Sequence, residues 1–120
     1  MLNREVISGF IRIHVLHHAA HKPVFGVWLI EELREHGYRV GPGTLYPILH
    51  GLEDVGYLKS KFIPHDGKRR RVYMITSPGR KALERAKVRI KELYEEIFEE
   101  RLDDAGRNLA RRTARPSSRT

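Results

Sequence analysis

A mainly α fold with a small β-wing is what this sequence predicts, and three observations lead there. Apolar residues recur with helical period in three successive segments before residue 57. The period then switches to two on either side of an Asp66-Gly67 pair. Beyond Pro78 the apolar residues return with the alternating three- and four-residue spacing of a coiled-coil seam.

The first helix is expected from Asn3, a side chain suited to capping, to about Ala20, with Pro23 soon after. Val6, Ile7, Phe10, Ile11, Ile13, Leu16 and Ala20 give it an apolar face. A second helix is expected from Val24 to about His36, burying Val27, Ile30 and Leu33 and stopping at Gly37. After a short connection, Pro42 suits the first position of a third helix, where its missing N–H costs nothing. Leu45, Ile48, Leu49, Leu52 and Val55 form that helix's inner stripe, and Gly56 ends it.

Leu58 to Ile63 and Arg70 to Ile75 read as two strands of a hairpin around His65-Asp66-Gly67-Lys68. Thr76-Ser77-Pro78 then combines a hydroxyl cap with a proline, a helix-start signal. The last helix is expected from Pro78 to about Leu102, with Leu83, Ala86, Ile90, Leu93 and Ile97 in the seam. Two helices joined by a short turn and followed by a basic hairpin describe a winged helix-turn-helix. The chain divides accordingly into a winged part (1–77), a dimerisation helix (78–102) and a basic tail (103–120), the last reading as disordered.

Composition narrows the function. The 120 residues carry 23 Lys and Arg against 15 Asp and Glu, a surplus of +8 that suits a polyanionic partner. Position matters more than the total: residues 101–120 hold six arginines and two aspartates, half of the surplus. The absence of cysteine excludes disulfides, thiolate zinc sites and thiol nucleophiles. There is no membrane-length apolar run and no secretory pattern, so the default compartment is the cytoplasm. No phosphate loop, nucleophile elbow or supported pair of catalytic carboxylates is present, so an enzyme is not expected.

An α-helix fits the major groove of double-stranded DNA, and its first residues reach the base edges. With the apolar stripe of the third helix turned inward, Gly43, Thr44, Tyr46, Pro47 and His50 face outward as candidate DNA contacts. Tyr46 and Pro47 could instead pack against the wing or the first helix. Lys68, Arg69, Arg70 and Arg71, at or beside the hairpin tip, can follow phosphates or enter the minor groove. Alternation points some of them away, so the four do not contribute equally.

The run Gly43-Thr44-Leu45-Tyr46-Pro47-Ile48-Leu49-His50, with Leu52-Glu53 and Gly56, resembles the signature of the PadR family of transcriptional regulators. The resemblance continues through Arg70-Arg71-Val72-Tyr73 and Ile75 to Leu83, and the single closing helix is similar to the shorter branch of the family. It implies a homodimer held mainly by the first helix, with Phe10, and the last. It also implies repression at a palindromic promoter site and release by a small molecule or other signal. Two departures stand out: Gly51 occupies a position where the family often has Arg, and the second helix opens Phe25-Gly26-Val27 instead of a His-Gly-Tyr-like triplet. Trp28, the only tryptophan, could line an effector pocket at the dimer interface or simply pack.

Four of the seven histidines, His14, His17, His18 and His21, stand in the first helix as two four-residue pairs. Such pairs bind zinc, nickel or copper when further ligands join them, so a divalent metal is a candidate cofactor. They could equally sense pH, or be ordinary imidazoles. Beside the sequence-specific regulator, two other readings stay open: a metal- or ligand-sensing binding protein whose DNA contact is secondary, and an architectural DNA coater using tail and wing.

Overall fold

In the computed structural model, which describes residues 3–99, the mainly α fold with a β-wing is present. The order is α1 (Arg4–His21), β1 (Val24–Phe25), α2 (Gly26–Glu35), α3 (Pro42–Asp54), β2 (Leu58–His65), β3 (Lys68–Ile75) and α4 (Ser77–Tyr94). A π-helical segment, Glu95–Glu99, follows α4. The expected helix end near Leu102 and the basic tail lie outside the described residues. Among the described residues no helix is long and apolar enough to cross a membrane.

Local chemistry sets most boundaries. Asn3 caps α1, its Oδ1 accepting from the Val6 N–H at 2.9 Å. The α2 and α3 helices end alike: Tyr38 N–H donates to Leu33 O and Gly37 N–H to Arg34 O, as Tyr57 does to Leu52 and Gly56 to Glu53. This pattern needs a left-handed residue after the cap, and Gly37 (φ 91°) and Gly56 (φ 86°) supply it. Asp66 (φ 54°) and Gly67 (φ 73°) both adopt positive φ, as a two-residue hairpin turn matched to strand twist requires.

The start of the second helix differs from expectation. Val24 and Phe25 pair with Tyr73 and Val72 as a third, antiparallel strand, giving the sheet order β1-β3-β2. Two residues are too few to show a period, and only β3, far away in sequence, supplies their backbone partners. Starting α2 at Gly26 also changes the details of its buried face. Leu29 joins Ile30 and Leu33 inside, whereas Val27 is 51% exposed. Val55, expected inside, lies past the end of α3 and is 62% exposed.

The core lies where the three helices meet the sheet. Ile11, Val15, Leu16 and Ala19 of α1 pack with Leu29 and Leu33 of α2, Leu45 and Leu49 of α3, and Tyr73 of the central strand. The beginning of α4 belongs to this unit too. The Thr76 hydroxyl donates to Gly56 O at 2.6 Å and accepts from the Gly79 N–H at 3.0 Å. Arg80 reaches the Ala20 carbonyl of α1 at 3.3 Å.

Leu83, expected in a seam between chains, is buried in the core of its own chain instead. The reason is position: it sits in the first turns of α4, which Thr76 and Arg80 hold against this core. The first compact unit accordingly ends at Arg85 and the second begins at Ala86. Within the second unit Val88, Ile90, Leu93, Tyr94, Ile97 and Phe98 are all exposed. Tyr94 and Phe98 pack ring on ring, 4.7 Å between centroids.

Gly79 is buried against the Tyr57 carbonyl, and a Cβ there would also meet Ile75 Cγ1 at 2.8 Å. A backbone carbonyl cannot swing aside as a side chain can. Gly79→Ala should therefore destabilise the chain by about 1–3 kcal/mol, read as a lower urea midpoint at unchanged slope.

Candidate nucleic-acid interface

The α3 helix offers its first turns to solvent. Leu45, Ile48, Leu49 and Leu52 are buried, and on the other side Gly43, Thr44, Pro47 and His50 are exposed. Gly43, Pro47 and His50 follow four- and three-residue spacing, so they share one outer face. Gly41 caps α3 without a side-chain hydrogen bond, and its first turn has no acidic residue. The partial positive charge of this helix end is therefore uncompensated by a neighbouring carboxylate. The helix continues through Pro47, whose ring nitrogen has no hydrogen to donate to the Gly43 carbonyl.

Tyr46 is placed differently from its neighbours. It is half-buried, and its ring lies directly on Gly26 at the start of α2. A Cβ at position 26 would fall 2.6 Å from the Tyr46 hydroxyl oxygen and 2.8 Å from Cε1 and Cζ. The ring therefore locks the two helices of the helix-turn-helix together rather than standing free.

Strand register sorts the wing's cations. Ile63 opposes Arg70 and Phe62 opposes Arg71, so Arg69 and Arg71 share the Phe62 face while Lys68 and Arg70 take the other. The Arg69 and Arg71 guanidiniums lie 4.3 and 4.7 Å from the centre of the Phe62 ring, whose π-face attracts them. Toward the base of the hairpin the Phe62 face carries Tyr73, buried in the core. Burial pushes the Tyr73 phenol pKa above its ordinary value, against the opposing pull of Arg71 beside it.

Tyr46, Gly26, Tyr73 and the three arginines 69–71 line a cleft of about 230 Å³. The start of α2 at its edge has no side-chain cap and no acid in its first turn. Arg70 keeps its Nε buried without a hydrogen-bond partner among the described residues. Cations, a phenol and an uncapped helix end thus converge on one opening suited to an anion.

The histidines of α1 divide into two sets. His14 and His18 are half-buried beside α2, the His14 ring 5.3 Å from that of His36. His17 and His21 are exposed, their rings 4.7 Å apart, with His21 Nδ1 2.9 Å from the His17 carbonyl oxygen. Trp28 packs edge-on to His18 at 5.3 Å, with Lys22 Nζ 5.5 Å from its ring. Separately, Arg4, Ile7, Ile11, Tyr38, Arg39 and Thr44 flank a groove of about 730 Å³, a volume within the range of small-molecule sites.

Sequence reasoning missed Phe62, Gly26, Glu32 and His36. Phe62 was visible as an aromatic in the strand opposite the basic run, and Glu32 and His36 as a four-residue pair on the second helix. Gly26 keeps the central glycine of the triplet that opens the second helix, but its local sequence does not say what it accommodates, because that comes from α3.

Comparison with known proteins gives one family. The profile of the transcriptional regulator PadR-like family matches residues 15–85. Transcriptional regulator Rv3488 of Mycobacterium tuberculosis is 51% identical over 90 residues, which span 75% of this chain and 84% of that protein. A PadR family transcriptional regulator from Eggerthella lenta superposes with a TM-score of 0.70 at 27% identity, over 79% of this chain and 84% of that one. The smu.1704 protein of Streptococcus mutans does so with a TM-score of 0.71 at 27% identity, over 75% and 84%.

The contact between Gly26 and Tyr46 is open to a double-mutant cycle. Gly26→Ala should cost about 1–3 kcal/mol by forcing the ring aside. Adding Tyr46→Ala should recover about half of that loss, since the obstruction is gone. Strict additivity of the two losses in urea melts would contradict the packing.

Proposed function

The chain belongs to the PadR-like family of transcriptional regulators, and from that premise we propose a homodimeric repressor of a palindromic promoter site. It is a DNA-binding regulator, not an enzyme. In the proposed complex α3 lies in the major groove, with Gly43, Thr44, Pro47 and His50 toward the bases. Thr44 offers a hydroxyl to a base edge and a methyl to a thymine methyl. Glycine at 43 lets the backbone come close. Tyr46 acts mainly by holding the start of α2 against α3.

The observation that carries this reading is the cleft where Arg69–Arg71 meet Tyr46 and the uncapped start of α2. A backbone phosphate there would gain charge-assisted hydrogen bonds from Arg69 and Arg71, on the same strand face as Tyr73. Lys68 and Arg69, nearest the hairpin turn, would follow the adjacent backbone or minor groove.

Dimerisation is assigned to Ala86, Ile90, Leu93 and Ile97 of the second unit together with Phe10 of α1. Five large apolar side chains between Val88 and Ile97 exposed on one chain are unfavourable in water unless covered. A twofold pairing of chains would present two α3 helices to two half-sites. Release by a small molecule or metal completes the regulatory reading, as a repressor needs an inducing signal.

Two sets of variants test this. Thr44→Ala should lower operator affinity by about 1–3 kcal/mol relative to random DNA. Arg69→Ala should weaken both alike and reduce the salt slope by about one. An unchanged ratio in Thr44→Ala would contradict the groove role. Ile90→Asp with Leu93→Asp should sediment as a monomer and lose roughly a hundredfold in operator affinity; a dimer of normal affinity would refute the seam.

A further inference from the structure

Two four-residue pairs face each other across the contact between α1 and α2. His14 and His18 stand on α1, and Glu32 and His36 on α2 and its cap. One Glu32 carboxylate oxygen lies 3.8 Å from His18 Nε2 and 3.2 Å from His36 Nε2. Ligand atoms of all three residues fall within 4.8 Å of one another. The His14 ring stacks at 17° on that of His18, with centroids 6.1 Å apart.

We propose that His18, Glu32 and His36 form a site for a divalent cation of the zinc, nickel and copper class, with the His14 ring beside it. A tetrahedral ion with bonds of about 2.0–2.1 Å holds its ligand atoms roughly 3.3 Å apart, so small side-chain rotations close this set on an ion. Imidazoles with one carboxylate and no thiolate suit these borderline ions, whereas magnesium and calcium prefer oxygen alone.

An ion pair between Glu32 and His36 at 3.2 Å explains His36 without a metal, whereas His18 lies 3.8 Å from the same oxygen, too far for a hydrogen bond. His18 Nε2 is buried with no hydrogen-bond partner among the described residues, which carries a desolvation cost that a bound ion would remove. Burial, and then the neighbouring histidines, hold His14 and His18 below the ordinary histidine pKa, against the pull of Glu32. His17 and His21 take no part: both are exposed, and His21 Nδ1 is already in contact with the His17 carbonyl.

Such an ion would tie α1 to the end of α2, immediately before the turn into α3. The site stands without the repressor reading; only its effect on DNA rests on that reading. Trp28 is the only tryptophan, and its ring is 5.3 Å from that of His18, so it reports on the site directly.

The test titrates the full chain, stripped of metal, with nickel chloride while Trp28 emission is followed, and with zinc chloride by calorimetry. One ion per chain with quenching of Trp28 is expected. Affinity should weaken about tenfold or more in Glu32→Gln and in His36→Gln, and be unchanged in His17→Gln. His36 is an exposed cap residue, so His36→Gln keeps the test decisive even where Glu32→Gln fails to fold. No quenching in the wild type, equal affinity in His36→Gln, or loss confined to His17→Gln would overturn the site. Operator binding by the metal-free variants, measured alongside, separates failure of the ion site from failure of the DNA reading.

Discussion

Tyr73 is the largest fully buried side chain among the described residues, and much of the fold is arranged around its burial. It stands in the central strand, between Val24 of β1 and Ser60 of β2, with its ring in the core. A tyrosine can be buried there because its apolar body fills volume while its polar tip keeps contact with a charged neighbour, here Arg71. With Tyr73 pointing inward, strict alternation sends Arg71 and Arg69 along the same face and Arg70 and Lys68 along the other. A one-residue slip would expose Tyr73 and exchange the two sets of cations. The hydrophobic demand at the hairpin's base thus orients the charges at its tip.

Charge alone would not make a reader of DNA. Half of the net surplus belongs to residues 101–120, outside the described fold, whereas the wing's cations are held in fixed places. Arg69 and Arg71 are steadied by the Phe62 ring, and Arg70 by partial burial. Preorganised cations lose less side-chain freedom on meeting a phosphate than free ones do. The packing of Tyr46 on Gly26 does for α3 what Phe62 does for the wing, fixing the outer face of the helix relative to the cleft. In the proposed complex, affinity comes from the cleft and wing, and discrimination from the short exposed turn containing Thr44.

The same core contact places the histidines. Ile11 and Val15 of α1 are buried with Leu29 and Leu33 of α2, and this brings the half-buried flank of each helix against the other. His18 and Glu32 meet on that flank, whereas His17, one residue along α1, turns to solvent. A single helical step of about 100° therefore separates a clustered imidazole from an exposed one.

Helix periods, glycine stops, the Asn3 and Thr76 caps and the Asp66-Gly67 turn all act within a few residues, so the sequence by itself determined the helices and the hairpin. It also determined most of the outer face of α3, because the inner stripe leaves one side for solvent. Tertiary structure decided the rest. The pairing of Val24 and Phe25 with β3 is a long-range hydrogen-bonding choice that no local period encodes. Leu83 has seam spacing, yet it is buried in its own chain because Thr76 and Arg80 bring the start of α4 to the core. Glu32 and His36 join His18 only once α1 and α2 pack. Local backbone preferences are written in neighbouring residues; which side chains meet across elements depends on how whole apolar faces are buried together.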